Sequence, residues 1–266
     1  MTDNMKPVRI ALVTGAAQGI GKAIALRLAR DGLDVALNDV PSKLDQLNAV
    51  SNEIRTSLGR QSTVHTADVS KEEDIKRMFE EVVRMHGGLD VMIANAGIVI
   101  DRPFLETTVE EWDRTFAVNA RGVFLCYQHA AKQMIKQGRG GRMIGASSIM
   151  GKSGIGDGVS AYTGTKFAIR GITQAAAGEL GKYKITVNAY APGVIDTEMA
   201  RQMDESAAKR LGLEPGVVFN NFSARSPLGH NGVPEDIAGL VSYLVSDDAH
   251  YVTGQTISVN GGIFCD

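Results

Sequence analysis

The strongest constraint on how this 266-residue chain can fold is a rhythm that runs through it from end to end. Short segments that are apolar at almost every position, such as VRIALVT (8–14), DVALND (34–39), LDVMIANAG (89–97), GRMIGAS (141–147) and KITVNAY (184–190), alternate with longer amphipathic ones. A strand with one wet face alternates polar and apolar residues; a strand apolar throughout must be covered on both faces. The intervening segments read as the covering helices. KEEDIKRMFEEVVRMHG (71–87), for example, puts Ile75, Met78, Phe79, Val82 and Val83 on one helical face. Strands separated by helices imply a parallel sheet sandwiched between helical layers, with right-handed crossovers. VEEWDRTFAVNARGVFLCYQHAAKQMIKQ (109–137) reads as one long helix. No repeat, low-complexity tract or linker interrupts the pattern, so residues 1–266 read as a single domain. The one break is a polar, partly helical insertion at about 196–227. It follows the carboxyl end of a strand, where ligands lie in such sheets, and reads as a substrate loop or lid.

The first strand runs into TGAAQGIG (14–21) and then a helix. Gly15 permits the tight turn, Gly19 the close approach of backbone to a pyrophosphate, and Gly21 the packing of helix on strand, with Gln18 and Ile20 between them. The helix N-terminus supplies amide donors and the positive end of a dipole. With Asp39 at the end of the next strand, this is the context of a dinucleotide site on a Rossmann-type α/β sheet. A carboxylate at Asp39 accepts hydrogen bonds from ribose hydroxyls and repels a 2′-phosphate, so NAD(H) is the expected cofactor. Lys43 is the one nearby cation.

Composition narrows the possible roles. A net charge of −2 offers no basic field for nucleic acid and no polybasic anchor for a membrane. The start, MTDNMKPVRI, lacks the apolar core of a signal peptide, and no apolar run is long enough to span a bilayer. Cys126 and Cys265 make no disulfide framework or zinc motif. His65, His86, His129, His230 and His250 show no ligand spacing, so no metal is expected. A reducing, cytoplasmic setting follows.

In SAYTGTKFAIRG (160–171), Tyr162 and Lys166 stand four apart and share a helix face. A free tyrosine titrates near ~10, and a cation about 4 Å away is worth roughly 4 kcal/mol at an effective dielectric near 20 but about 1 in water. Such a pair can tune an acid/base only in a partly desolvated cleft. The helix also carries small residues at Ala161, Gly164, Ala168, Gly171, Ala175 and Gly178, which suggests close approach by another backbone.

Taken together, TGAAQGIG, ADVS (67–70), NAG (95–97), VNARG (118–122), GASSIMG (145–151), Tyr162-x-x-x-Lys166 and PGVIDT (192–197) resemble, in order and spacing, the short-chain dehydrogenase/reductase family over essentially the whole chain. The resemblance implies that Tyr162 is the acid/base and that Ser148 polarises the substrate oxygen. It implies that Lys166 bonds the nicotinamide ribose and lowers the tyrosine pKa, and that Asn119 holds a water in the proton relay. It further implies that Asp68 and Val69 border the adenine and that Asn95, Ala96 and Gly97 line its ribose. Pro192, Gly193, Ile195 and Thr197 would lie toward the carboxamide. Ile149, Ile155 and Met199, with Ser148 and Tyr162, would form the substrate wall. The family commonly forms tetramers through the Tyr162 helix, so a homo-oligomer is expected.

Two departures stand out: Ala94 replaces a common asparagine, and the loop between the serines and Tyr162 is one residue longer than is usual in the family, which leaves Ser147 as well as Ser148 in reach of the role; Ser148 is the choice. Segments 14–32, 166–180, 185–199 and 241–262 resemble acetoin reductases (2,3-butanediol dehydrogenases), which implies a small ketone or alcohol as substrate. A polyol or sugar dehydrogenase and a 3-ketoacyl thioester reductase are the rival enzymes. A non-catalytic NADH-sensing protein is the rival of another class.

Overall fold

The computed structural model describes residues 8–154 and 156–265. Its sheet contains seven strands in the order β3-β2-β1-β4-β5-β6-β7, and every pairing is parallel. The strands are β1 Ile10–Thr14, β2 Asp34–Asp39, β3 Ser62–Thr66, β4 Val91–Ala94, β5 Gly141–Ala146, β6 Ile185–Pro192 and β7 Thr256–Val259. Their alternating side chains feed two cores. Ala11 and Val13 point to one face and Leu12 to the other, as the two-residue period requires.

The first face is covered by α1 (Gly19–Arg30), α2 (Leu44–Ser57) and α9 (Pro234–Val245), through Ile24, Leu28, Leu47, Ile54, Val241 and Leu244. The second is covered by α3 (Glu72–His86), α5 (Gly122–Gln137) and α6 (Ser160–Leu180), through Ile75, Met78, Val82, Ala130 and Ile169. Proline at the first turn of α9, followed by Glu235 and Asp236, starts that helix where the missing N–H costs nothing. No helix among the described residues is long and apolar enough to cross a membrane.

Chain order reverses direction across β1 and β4, and the crevice beyond their carboxyl ends is where such sheets bind ligands. Three features around it matter. First, the helix expected over 109–137 runs unbroken but is not regular: α4 (Val109–Phe116) passes through a π-turn at Ala117–Arg121 into α5. The wider turn rotates Asn119 inward, where its amide meets both backbone groups of Ile98. Second, residues 196–227 contain two helices, α7 (Glu198–Leu211) and α8 (Val217–Arg225). Asp204 of α7 accepts from the backbone N–H groups of Gly216 and Phe219, which fastens the two helices together. Third, β6 extends through Pro192, delivering the 192–197 segment to the crevice mouth.

Candidate active site

A cavity of about 780 Å³ occupies this crevice. The loops after β1, β2, β4, β5 and β6, together with α6, α7 and α8, all contribute walls. At one end lies the glycine loop. A Cβ on Gly21 would sit 2.1 Å from the Gly15 carbonyl oxygen and 2.6 Å from Asn95 Nδ2, so only glycine lets α1 approach the loop this closely. Asn95 holds the loop from beneath: Nδ2 donates to the carbonyls of Thr14 (2.8 Å) and Gly15 (3.2 Å), and Oδ1 accepts from the Tyr190 hydroxyl (2.7 Å). Asn95 thus spends its side chain on shaping the loop. Thr14 and Tyr190 share that task, and neither stood out in the sequence.

Asp39 lies at the end of β2 on the cavity wall, accepting from the N–H groups of Ala17 (3.1 Å) and Val40 (2.9 Å). Lys43, brought back by the short turn at Pro41–Lys43, donates to Gln18 Oε1 at 2.9 Å and lines the same end. Asp68 folds its carboxylate onto the N–H and hydroxyl of Ser70. The α1 N-terminus, the tightly approached glycine loop and a carboxylate at the end of β2 together fit a dinucleotide. Gly15, Gln18, Gly19, Ile20 and Gly21 line this end of the cavity, as do Val69, Ala96 and Gly97. Pro192, Gly193 and Ile195 line it on the β6 side, and Thr197 caps α7 there, its hydroxyl accepting from the Ala200 N–H.

Farther in, α6 presents Tyr162 and Lys166 to the same cavity. Lys166 is buried; its ammonium donates to the Ala146 carbonyl (2.6 Å) and lies 5.2 Å from the centre of the Tyr162 ring. Burial pushes Lys166 down to about 7. Burial also pushes the Tyr162 phenol up to about 12, opposed by a hydrogen bond with the Ser148 side chain. At neutral pH Tyr162 is therefore the protonated phenol.

The two serines are used differently. Ser147 Oγ donates to the Lys166 carbonyl (2.9 Å), tying β5 to α6, whereas Ser148 faces Tyr162 and also accepts from the Met150 N–H (3.1 Å). Asn119 is fully buried and off the cavity wall. Its Oδ1 accepts from the Ile98 N–H (2.8 Å), and Nδ2 donates to the Ile98 carbonyl (2.8 Å) and to Thr165 (3.2 Å). Ile149 and Met199 line the substrate end; Ile155 lies outside the described residues. That end also carries residues with no motif to reveal them: Met203, Leu211, Phe219 and Phe222 from α7 and α8, and the charged trio Asp101, Asp157 and Arg210.

An open α/β sheet with a glycine loop at its switch point and a serine–tyrosine–lysine group in the same cavity defines a nicotinamide-dependent oxidoreductase architecture. Comparison with known proteins fixes the family. A family model described as enoyl-(acyl carrier protein) reductase matches residues 15–263. A short-chain dehydrogenase/reductase of Armillaria gallica is 49% identical over 97% of both chains. The L-2,3-butanediol dehydrogenase of Corynebacterium glutamicum is 40% identical over 96% of this chain and 98% of its own. Among solved structures, an acetoin dehydrogenase from Salmonella typhimurium superposes with a TM-score of 0.83 at 35% identity, covering 96% of each chain. The chain belongs to the short-chain dehydrogenase/reductase family and is an oxidoreductase acting on CH–OH groups.

Proposed function

We propose that this protein interconverts an uncharged ketone and its secondary alcohol with NAD(H), using Tyr162 as the proton donor and acceptor. The reading rests chiefly on one observation: Tyr162, Ser148 and Lys166 open into the same cavity as the glycine loop and Asp39. When bound, the reduced nicotinamide supplies the hydride. Ser148 hydrogen-bonds the substrate oxygen, and Tyr162, held as the phenol, gives it a proton; in the reverse direction the phenolate takes the proton back. Lys166 favours that phenolate and reaches the nicotinamide ribose. Asn119 acts as a positioning residue, holding the Ile98 backbone beside Gly97 and Lys166. Asp39, Asp68, Val69 and residues 95–97 receive the adenosine half, and Pro192, Gly193, Ile195 and Thr197 the nicotinamide half. Asp39 favours NAD(H) over its 2′-phosphorylated form.

We read residues 1–266 as one catalytic domain with 196–227 as its lid, acting in the cytoplasm, where both free cysteines, Cys126 and Cys265, remain thiols. A homo-oligomer built on the α4–α6 face, as a tetramer, completes the reading. The relatives named for 2,3-butanediol and acetoin support diacetyl and acetoin as substrates. The apolar wall from Met203, Leu211, Phe219 and Phe222 favours a second substrate class, larger apolar ketones.

The test is NADH and NADPH oxidation against diacetyl, acetoin, a keto-sugar and a cyclic aliphatic ketone, with wild type and Tyr162→Phe. The expected result is NADH-linked turnover of diacetyl, acetoin or the cyclic ketone by wild type. Tyr162→Phe should lose about 10³-fold or more in kcat while still binding NADH, as loss of a general acid requires. Retained turnover in the variant sinks the mechanism, and a clear NADPH preference sinks the role given to Asp39.

A further inference from the structure

The substrate end of the cavity is assembled from three segments far apart in sequence: the loop after β4, the loop between β5 and α6, and α7. Arg210, in the last turn of α7, joins all three. Its Nη2 donates to Asp101 Oδ1 (3.1 Å) in the first loop, and its Nη1 to Asp157 Oδ2 (2.6 Å) in the second. Ser206, one turn earlier on α7, donates to the other Asp101 oxygen at 2.9 Å. The two loops are also joined directly, the Arg102 N–H donating to the Gly158 carbonyl at 2.7 Å.

The junction is tightly built. Gly158 has φ +75°, and a Cβ there would lie 2.2 Å from Asp101 Oδ1 and 2.9 Å from Arg210 Nη2, so a side chain at this position would be strained and would have to displace the Asp101–Arg210 contact. The Asp101 side chain is 6% exposed, which distinguishes this pair from the solvent-facing pair that Arg201 of the same helix makes with Asp196, at 64% and 43%. A carboxylate held out of water needs its partner. Asp204, the buried acid of α7 itself, ties that helix to α8. Arg210 is therefore the ionic tie that fastens the far end of α7 to the body of the protein across the substrate end.

We propose that Arg210 is a positioning residue for catalysis: by clamping α7 to the loops bearing Asp101 and Asp157, it holds the substrate wall preformed. Met203, Ala207 and Leu211 ride on the clamped helix and line the cavity. Without the clamp each binding event must order that wall, and the cost falls on substrate affinity. None of the residues making these contacts (Asp101, Arg102, Asp157, Gly158, Ser206, Arg210) is among those that line the cofactor end. The inference concerns the wall and holds for any ketone the site accepts.

The test compares wild type with Arg210→Met, Arg210→Lys and the double variant Arg210→Met/Asp101→Asn. The double variant removes the tie without stranding a buried carboxylate, so that folding is preserved. Amide hydrogen exchange is measured across 198–211 and 156–159, with NADH affinity by fluorescence and KM and kcat for the best ketone. In Arg210→Met and the double variant, exchange in α7 should quicken about tenfold. The ketone KM should rise about tenfold, kcat stay within about threefold and NADH affinity within about twofold. Arg210→Lys, which keeps one charged contact, should fall between wild type and Arg210→Met. The proposal is overturned by unchanged α7 exchange in the double variant, or by NADH affinity falling in step with ketone KM. Should no ketone be turned over, the proposed reaction fails but the exchange and NADH measurements still decide the clamp.

Discussion

At Lys166 the fold sets an ammonium group where water scarcely reaches it, with the Ala146 carbonyl as its protein acceptor. Its pKa drops from the ordinary 10.5 to about 7, because burial penalises the charged form. The unfolded chain consequently binds this proton more tightly than the folded one between those two values. Stability then rises with pH from about 7 upward, and below that the penalty is constant. His65, His86 and His129 are also depressed by burial, but they act below their ordinary 6.5. Cys126, Tyr127 and Tyr162 are raised by burial and take stability away only above about 9. Between about pH 7 and 8.5 the slope therefore belongs to Lys166, and at ~1.4 kcal/mol per unit it amounts to about 2 kcal/mol. Urea unfolding of the cofactor-free protein should show this gain, and Lys166→Met should flatten it. An equal slope in the variant would assign the titration to another group. The Tyr162–Lys166 spacing was plain in the sequence because both residues lie on one helix. Asn95 was legible from its motif, but its partnership with Thr14 and Tyr190 was not, because it spans 81 to 95 residues of chain and appears only when β1, β4 and β6 come together.

At the level of elements, the π-turn at Ala117–Arg121 joins fold to chemistry. An added residue in a helical turn leaves composition and apolar pattern almost unchanged, which is why 109–137 reads as one helix. The strands and most helices were legible because each carries its own period. The π-turn and the clamped loops were not, since they depend on contacts between segments. Asn119, inside the turn, satisfies the N–H and the carbonyl of Ile98 together, as a peptide group would. Asn119→Ala should leave those buried groups unpaired and cost about 2–3 kcal/mol. The loop it holds runs beside Lys166: a Cβ on Gly97 would lie 3.3 Å from Asn119 Oδ1 and 3.7 Å from Lys166 Nζ. We therefore expect kcat to fall more than NADH affinity. Unfolding midpoints and stopped-flow turnover check both halves, and a variant as stable and fast as wild type would remove Asn119 from the positioning role.

For the whole molecule, the stripe of small residues on α6 divides in two. Gly164 is used within the chain: a Cβ there would meet the Phe116 ring at 3.2 Å and Trp112 at 3.7 Å, so α4 lies directly on it. Gly171 and Gly178, farther along the same stripe, face open space. On the same helix Phe167 is exposed at 42%, and on α4, which packs at Gly164, Val109 and Trp112 are exposed at 70% and 40%, apolar surface whose solvation a second copy of this chain would relieve. A stable contact of this kind needs about 800 Å² from each partner. If α6 of one subunit lies along this face of another, Gly171 is where the two backbones approach. Gly171→Glu then separates folding from assembly. In a single chain the new side chain meets nothing within 4 Å. Replacing an exposed helical glycine should moreover stabilise α6 by up to about 1 kcal/mol. In an assembly the same side chain brings bulk and like charge into the contact. Sedimentation of wild type should give a multiple of the chain mass, and the variant a single chain with equal or higher thermal stability. Wild type running as one chain, or Gly171→Glu remaining assembled, would place the contact elsewhere or remove it.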